Sequence, residues 1–317
     1  MKIVFLDGFT INRGDLSWRG LEALGEFTAY ERTAPEEVLQ RAENADVLIV
    51  NKTALGEEHF KALSCLRLIC VAATGFDRVD VKAARAKGIT VCNCAGYSSR
   101  AVAQMVASLI LEVADSVGEY TRRNLNGEWC RSEDFCYIQT PRMELVGKSL
   151  GIVGFGNIGQ TVAEVMRPFG LKIFAVSSKT REQLPAYVEK LTREEAFEQC
   201  DIVSLNCPLT NENRKFVNAK LLAKANPKLI LVNTARGGLV NEADVADALR
   251  AGKLKAYCTD VLALEPPRED CPILHAPRVF VTPHIGWSTP EARGRILNML
   301  IDNIQSFVAG QPKHVVN

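Results

Sequence analysis

Short apolar runs alternate with amphipathic stretches along the chain. Before residue 98 the runs are MKIVFLDG, ADVLIVNK, LRLICVAATG and GITVCNC, and between them lie stretches such as PEEVLQRAENA and VDVKAARAKG, whose apolar positions recur at helical spacing. Continuous apolar runs of this length predict strands buried on both faces, and intervening helices predict parallel pairing. A second series reads SLGIVGFG, KIFAVSS, CDIVSLN, PKLILVNTA, KAYCTDVL and RVFVTPHIG, with EEAFEQC, NAKLLAKA and EADVADALRAGK between. The pattern predicts an α/β protein with two doubly wound parallel sheets. Two longer periodic stretches, 98–118 and 289–309, predict long helices; the second returns the chain to the first sheet.

Composition narrows the class. The 317 residues are 47% hydrophobic and 24% charged with a net charge of +1, which excludes a disordered chain and a basic nucleic-acid stripe. Small molecules are the expected partners, with neither nucleic acid nor membrane among them. No apolar run reaches bilayer length and MKIVFLDGFT lacks the plan of a signal peptide, so a cytoplasmic location is expected. The ten cysteines form no CxxC pair, and reduced, mostly buried thiols are expected, with no metal site. Residues 119–147 are polar, carry Trp129 and Tyr137, and are long for a connection; they read as a dimerisation arm, with an active-site rim as the alternative.

Residues 149–164, SLGIVGFGNIGQTVAE, place Gly154, Gly156 and Gly159 in a GxGxxG turn between a strand and a helix. In a dinucleotide-binding unit the first glycine allows the turn, the second admits the pyrophosphate and the third lets helix pack on strand, while the helix N-terminus, here Asn157 and Ile158, receives the phosphate charge. The next strand should end in an acid for the adenosine ribose of NAD. FAVSSKT instead offers Ser177, Ser178 and Lys179. Without a carboxylate a 2′-phosphate is not repelled, two hydroxyls can bond it and Lys179, with Arg181, can supply charge. NADP is therefore expected to be accepted and favoured over NAD; the alternative is that short polar residues tolerate either.

Three strand ends of the second series present polar groups: Arg236 in NTARGGLVNE, Glu265 in DVLALEPP and His284 in TPHIGW. Alone, each reads equally well as a surface loop residue. Together they make an anion binder, an orienting acid and a base beside the dinucleotide turn. His59, His275 and His314 lie in a helix, a loop and the tail, where surface or packing roles are expected.

The order GxGxxG, NTARGGLVNE, DVLALEPP, TPHIG resembles the D-specific 2-hydroxyacid dehydrogenase family over the whole chain. Within it, DGFTINRGDLSW and Trp287 are most similar to the glycerate dehydrogenase, or hydroxypyruvate reductase, branch. The resemblance implies Rossmann-like and flavodoxin-like domains with the active site in the cleft between them: a discontinuous substrate domain, 1–98 plus 288–317, and a dinucleotide-binding domain, 99–287. It implies reduction of a small 2-keto acid, hydroxypyruvate or glyoxylate, by hydride transfer. His284 would exchange the proton, Glu265 would fix its tautomer and favour the imidazolium, and Arg236 would hold the substrate carboxylate. Lys52 and the Thr74-Gly75-Phe76 backbone would complete the substrate site; a solvated surface lysine is the alternative for Lys52. Cys207, Pro208, Thr234, Ala235, Asp260 and Gly286 would line the cofactor, with a structural hydrogen bond as the rival role for Asp260.

A homodimer is the family expectation. Same-fold rivals are enzymes for lactate, phosphoglycerate, formate or phosphite; Glu265 stands against formate, and a chain that stops after the returning helix weakens phosphoglycerate. A rival of another class is a dinucleotide-sensing corepressor or scaffold that retains the catalytic trio.

Overall fold

The computed structural model describes residues 1–317. The chain divides into two compact units, Met1–Ser98 with Trp287–Asn317, and Ser99–Gly286.

The first unit holds β1 (Lys2–Phe5), β2 (Glu26–Ala29), β3 (Val47–Val50), β4 (Leu68–Val71) and β5 (Thr90–Cys92). They form one parallel sheet in the order β2-β1-β3-β4-β5. β3 and β4 are buried along their whole length, because helices cover both faces. Each fully buried Val, Leu or Ile stabilises the sheet by about 1.5–3 kcal/mol. The closing helix Pro290–Val308 packs on this unit against β4 and is capped by the Thr289 hydroxyl, which accepts the Ala292 N–H at 3.2 Å. Behind its first turn, buried Arg293 donates two hydrogen bonds to Asp15, 2.7 and 2.5 Å, and one to the Ile11 carbonyl.

The second unit holds β6 (Ser149–Val153), β7 (Lys172–Val176), β8 (Val188–Lys190), β9 (Ile202–Leu205), β10 (Ile230–Asn233), β11 (Ala256–Thr259) and β12 (Val279–Val281). All are parallel, in the order β12-β11-β10-β9-β6-β7-β8. The winding reverses between β6 and β9, where an open α/β sheet presents its ligand crevice. Helices Ser99–Asp115 and Asn157–Met166 cover one face; Arg193–Gln199, Ala219–Leu222 and Glu242–Arg250 cover the other. Both units are thus doubly wound, as the apolar runs predict.

Two local expectations need correction, and two strands were not announced. The helix over 98–118 ends at Asp115, because Ser116 turns left-handed at φ 55° and cannot continue a right-handed ladder. A separate helix, Val117–Leu125, begins there, and the Glu112 carboxylate accepts the Gly118 N–H at 3.1 Å. Cys92 closes β5, so Cys94, expected on the same strand, lies beyond it. β2 and β8 have no apolar run to announce them: each is an edge strand, short and partly solvated. Six cysteines are buried, whereas Cys65, Cys130 and Cys136 are exposed and Cys207 is half-buried. No single helix is long and apolar enough to cross a membrane.

Candidate active site

The glycine turn follows β6 directly. Gly154 takes φ +94°, and a Cβ there would lie 2.7 Å from the Asn206 carbonyl carbon and the Cys207 nitrogen. Only glycine meets both demands. A Cβ on Gly159 would lie 2.2 Å from the Gly154 oxygen, so this residue sets the approach of helix Asn157–Met166 to the turn. Gly156 caps that helix, and a Cβ on it would meet nothing within 4 Å. Ile158 packs against the core below, while Asn157 starts the helix, whose first N–H groups are suited to an anion.

Sheet order lays out the remaining residues. From β12 across to β7, the C-terminal strand ends carry His284 and Gly286, then Asp260 and Glu265, then Thr234, Ala235 and Arg236, then Cys207 and Pro208, then the glycine turn, then Ser177. Every residue that the sequence nominates in this unit therefore lies along one end of one sheet. Ser177 follows β7 and accepts the Lys179 N–H at 3.2 Å, which curls the SSK turn back. The Lys179 ammonium lies 5.9 Å from the centre of the Phe155 ring, inside the glycine turn. Arg181 points elsewhere, donating to the Pro185 and Ala186 carbonyls at 3.3 and 3.0 Å. It is not paired with Lys179 as an anion clamp.

The Arg236 loop is tied at both ends. Asn233, wholly buried, donates to the Arg236 carbonyl at 3.0 Å and accepts the Ala235 N–H at 3.1 Å. Gly237 presses against the neighbouring loop, since a Cβ there would lie 2.0 Å from the Leu262 carbonyl carbon. That contact draws the Arg236 loop toward the loop of Glu265. Glu265 accepts the Leu262 N–H at 3.0 Å with Oε1, and its Oε2 lies 2.6 Å from His284 Nδ1. The ring nitrogen Nδ1 is thereby committed to the carboxylate, leaving Nε2 as the nitrogen for other chemistry.

His284 holds φ 55°, a left-handed conformation unusual for a side chain of its size. Asp260, 3% exposed, supports the turn: Oδ1 accepts the Thr282 hydroxyl at 2.6 Å and the Ile285 N–H at 2.9 Å, and Oδ2 accepts the Gly286 N–H at 2.7 Å. Gly286 has little room, because a Cβ would lie 3.0 Å from that same Oδ2. Burial pushes the Cys207 thiol up from its ordinary range, so it stays protonated.

In the other unit, Lys52 follows β3 and Thr74-Gly75-Phe76 follows β4, its neighbour. The Asn93 amide donates to the Thr74 carbonyl at 2.7 Å, and the Thr74 hydroxyl to the Cys94 carbonyl at 3.2 Å, which fixes the start of that loop. Asp7 fixes the other: it takes the N–H groups of Asn51, Lys52 and Thr53. Sequence reasoning did not nominate Asp7, although it is the first acid after the first apolar run. It did not nominate Asn206 either, a polar residue closing the run DIVSLN.

A model of the NAD-binding domain of D-isomer-specific 2-hydroxyacid dehydrogenases matches residues 107–286. The chain belongs to that family. This dehydrogenase is 39% identical to a hydroxypyruvate reductase of Blautia hydrogenotrophica, with 100% of each chain covered. It is 36% identical to a glycerate dehydrogenase of Methylorubrum extorquens over 99% of this chain and 98% of the relative. An acyclic imino acid reductase solved with NADPH and D-Arg superposes on it with a TM-score of 0.89 at 28% identity, covering 100% of each chain. The chain is thus an oxidoreductase built to use a nicotinamide dinucleotide. The strand ends fit such a cofactor. Asn206 Oδ1 and Thr234 Oγ1, at the ends of β9 and β10, are buried without a hydrogen-bond partner, a costly state that a polar ligand would relieve. The open face of Gly156 leaves space for a pyrophosphate above the helix N-terminus.

Proposed function

We propose that this dehydrogenase reduces hydroxypyruvate or glyoxylate to the D-2-hydroxy acid, with His284 as general acid and, in reverse, general base. The observation that carries the reading is the 2.6 Å bond between His284 Nδ1 and Glu265 Oε2 at the same end of the sheet as the glycine turn. When bound, the reduced nicotinamide supplies the hydride for the substrate's C2. Glu265 keeps the His284 proton for transfer on Nε2, from which it passes to the carbonyl oxygen. Arg236 holds the substrate carboxylate with its planar fork, and Lys52 with the Thr74-Gly75-Phe76 backbone serves the rest of the anion. Asp260 holds the His284 turn in place; both of its oxygens already accept hydrogen bonds within that turn.

The cofactor reading is NADPH in preference to NADH. No carboxylate follows β7; Ser177 and Ser178 offer hydroxyls, and Lys179 stands beside the glycine turn. Thr234, Ala235, Cys207, Pro208 and Gly286 are assigned to the cofactor wall from their places along the strand ends. A homodimer through residues 119–147 is part of the reading, because Leu125, Phe135 and Ile138 stand 84%, 89% and 77% exposed there.

The test is a kinetic matrix of hydroxypyruvate, glyoxylate, pyruvate and phosphohydroxypyruvate against NADPH and NADH. Highest kcat/KM for one of the first two with NADPH is expected. No consumption of either cofactor with any of the four acids refutes the enzymatic assignment. Light scattering at micromolar protein reads the dimer.

A further inference from the structure

The loop that carries Lys52 is built around a buried carboxylate. Asp7, just past the end of β1, is 6% exposed. Its Oδ1 accepts the Asn51 N–H at 2.9 Å; its Oδ2 accepts the N–H groups of Lys52 and Thr53 at 2.6 and 2.8 Å and the Thr53 hydroxyl at 3.1 Å. β1 and β3 are parallel neighbours, with Phe5 opposite Ile49, so the two chains leave the sheet side by side. The Leu6 N–H still bonds the Ile49 carbonyl at 3.0 Å; one residue later the ladder stops and Asp7 takes over.

Residues 51–53 thus turn their amides onto one side chain, an arrangement that favours an anion. A carboxylate presents only acceptors. An amide in its place would turn NH2 donors toward N–H donors and leave part of the nest unsatisfied in a buried site.

We propose that Asp7 is a positioning residue for the reaction: it sets the backbone of Lys52 and so the point from which that lysine meets the anionic keto acid. The inference rests on the reading of Lys52 as a substrate contact given above. Asp7 touches neither substrate nor cofactor. Its effect on the substrate is exerted through the 51–53 loop and read at Lys52, which separates it from a residue that merely keeps the sheet folded.

The experiment is a double-mutant cycle on the full chain: wild type, Asp7→Asn, Lys52→Ala and the double variant. KM and kcat for hydroxypyruvate, NADPH affinity by fluorescence titration and thermal unfolding are measured for each. Asp7→Asn is expected to raise KM for hydroxypyruvate about tenfold, the scale of one lost interaction with a charged group, with NADPH affinity unchanged. In the Lys52→Ala background the same change is expected to raise KM no further. An equal rise in both backgrounds, or no rise in the first, overturns the proposal and leaves Asp7 a structural clamp. If Lys52→Ala itself leaves KM unaltered while Asp7→Asn raises it, the Lys52 contact is what fails, and the inference falls with it. Should Asp7→Asn fail to fold, Thr53→Val removes one bond to the same carboxylate and is expected to raise KM about twofold to threefold, again only when Lys52 is present.

Discussion

The Gly286 N–H donates to Asp260 Oδ2 at 2.7 Å, and through that bond a buried acid at the end of β11 governs the turn that carries His284. A left-handed histidine stores strain on the order of 1–3 kcal/mol and persists only where its surroundings over-determine it. Asp260 does so by holding Thr282, Ile285 and Gly286 on both sides of it.

Asp260→Asn keeps the shape but turns an NH2 group toward one of those donors. It is expected to lower kcat by about 10- to 100-fold, as for the loss of ~1–3 kcal/mol of satisfied burial, and to lower the unfolding temperature. Steady-state kinetics and calorimetry on the same preparation check it; unchanged kcat removes Asp260 from the positioning of His284.

His284→Gln removes the proton-transferring nitrogen while keeping a polar side chain beside Glu265. Turnover should fall by about 10²- to 10⁴-fold, the usual contribution of a positioned acid, while NADPH titration shows affinity close to wild type. Full activity in this variant would sink the assigned mechanism.

Ser177→Asp puts a carboxylate directly after β7, where NAD-preferring chains carry one. The ratio of kcat/KM for NADPH over NADH should drop by at least about tenfold, since a charge facing a 2′-phosphate costs more than ~1.4 kcal/mol. An unmoved ratio would mean that the ribose lies elsewhere.

Gly237→Ala drives a Cβ into the Leu262 carbonyl carbon, 2.0 Å away, so the Arg236 and Glu265 loops must separate. Overpacking of this kind costs about 1–3 kcal/mol, and the prediction is a lower unfolding temperature together with a raised KM for the keto acid. Gly294→Ala, at a glycine with nothing within 4 Å of a Cβ and no positive φ, is the control.

The Asp15–Arg293 pair gives a pH signature. The Arg293 guanidinium, donating to the carboxylate, lowers the Asp15 pKa from 3.8 to about 2. A depressed acid contributes stability that is fully present above its unfolded pKa and is lost as pH falls through the folded value. Asp15→Asn should therefore lower the unfolding temperature at pH 7, and the gap to wild type should narrow from pH 4 downward. A gap that stays constant to pH 2 would show that the pair's charge is not what holds the loop.

Much of this was legible in linear form. The buried runs of β3, β4, β9 and β10 announce themselves because strands covered on both faces need no polar positions. The glycine turn is readable because a tight turn at Gly154 and a close helix at Gly159 each exclude a side chain, and the open face at Gly156 leaves room between them at a fixed spacing. The edge strands β2 and β8 were not, since a solvated edge asks for no apolar run. Nor was the break at Ser116, where apolar periodicity continues although the backbone does not.

The sequence by itself determined the fold class, the nucleotide turn, the absence of an acid after β7 and the three residue types suited to proton transfer and anion binding. Which of these meet was decided in three dimensions. Arg236, Glu265 and His284 are far apart along the chain, and it is the adjacency of β10, β11 and β12 that sets their loops side by side. The supporting acids Asp7 and Asp260 show the same division. Asp7 stands in the sequence as an ordinary polar residue after a strand and Asp260 as a candidate cofactor contact, and only the return of a neighbouring strand's loop supplies the N–H groups that each of them accepts. A hydrogen bond is a property of two positions in space, and residue spacing along one chain does not encode the second.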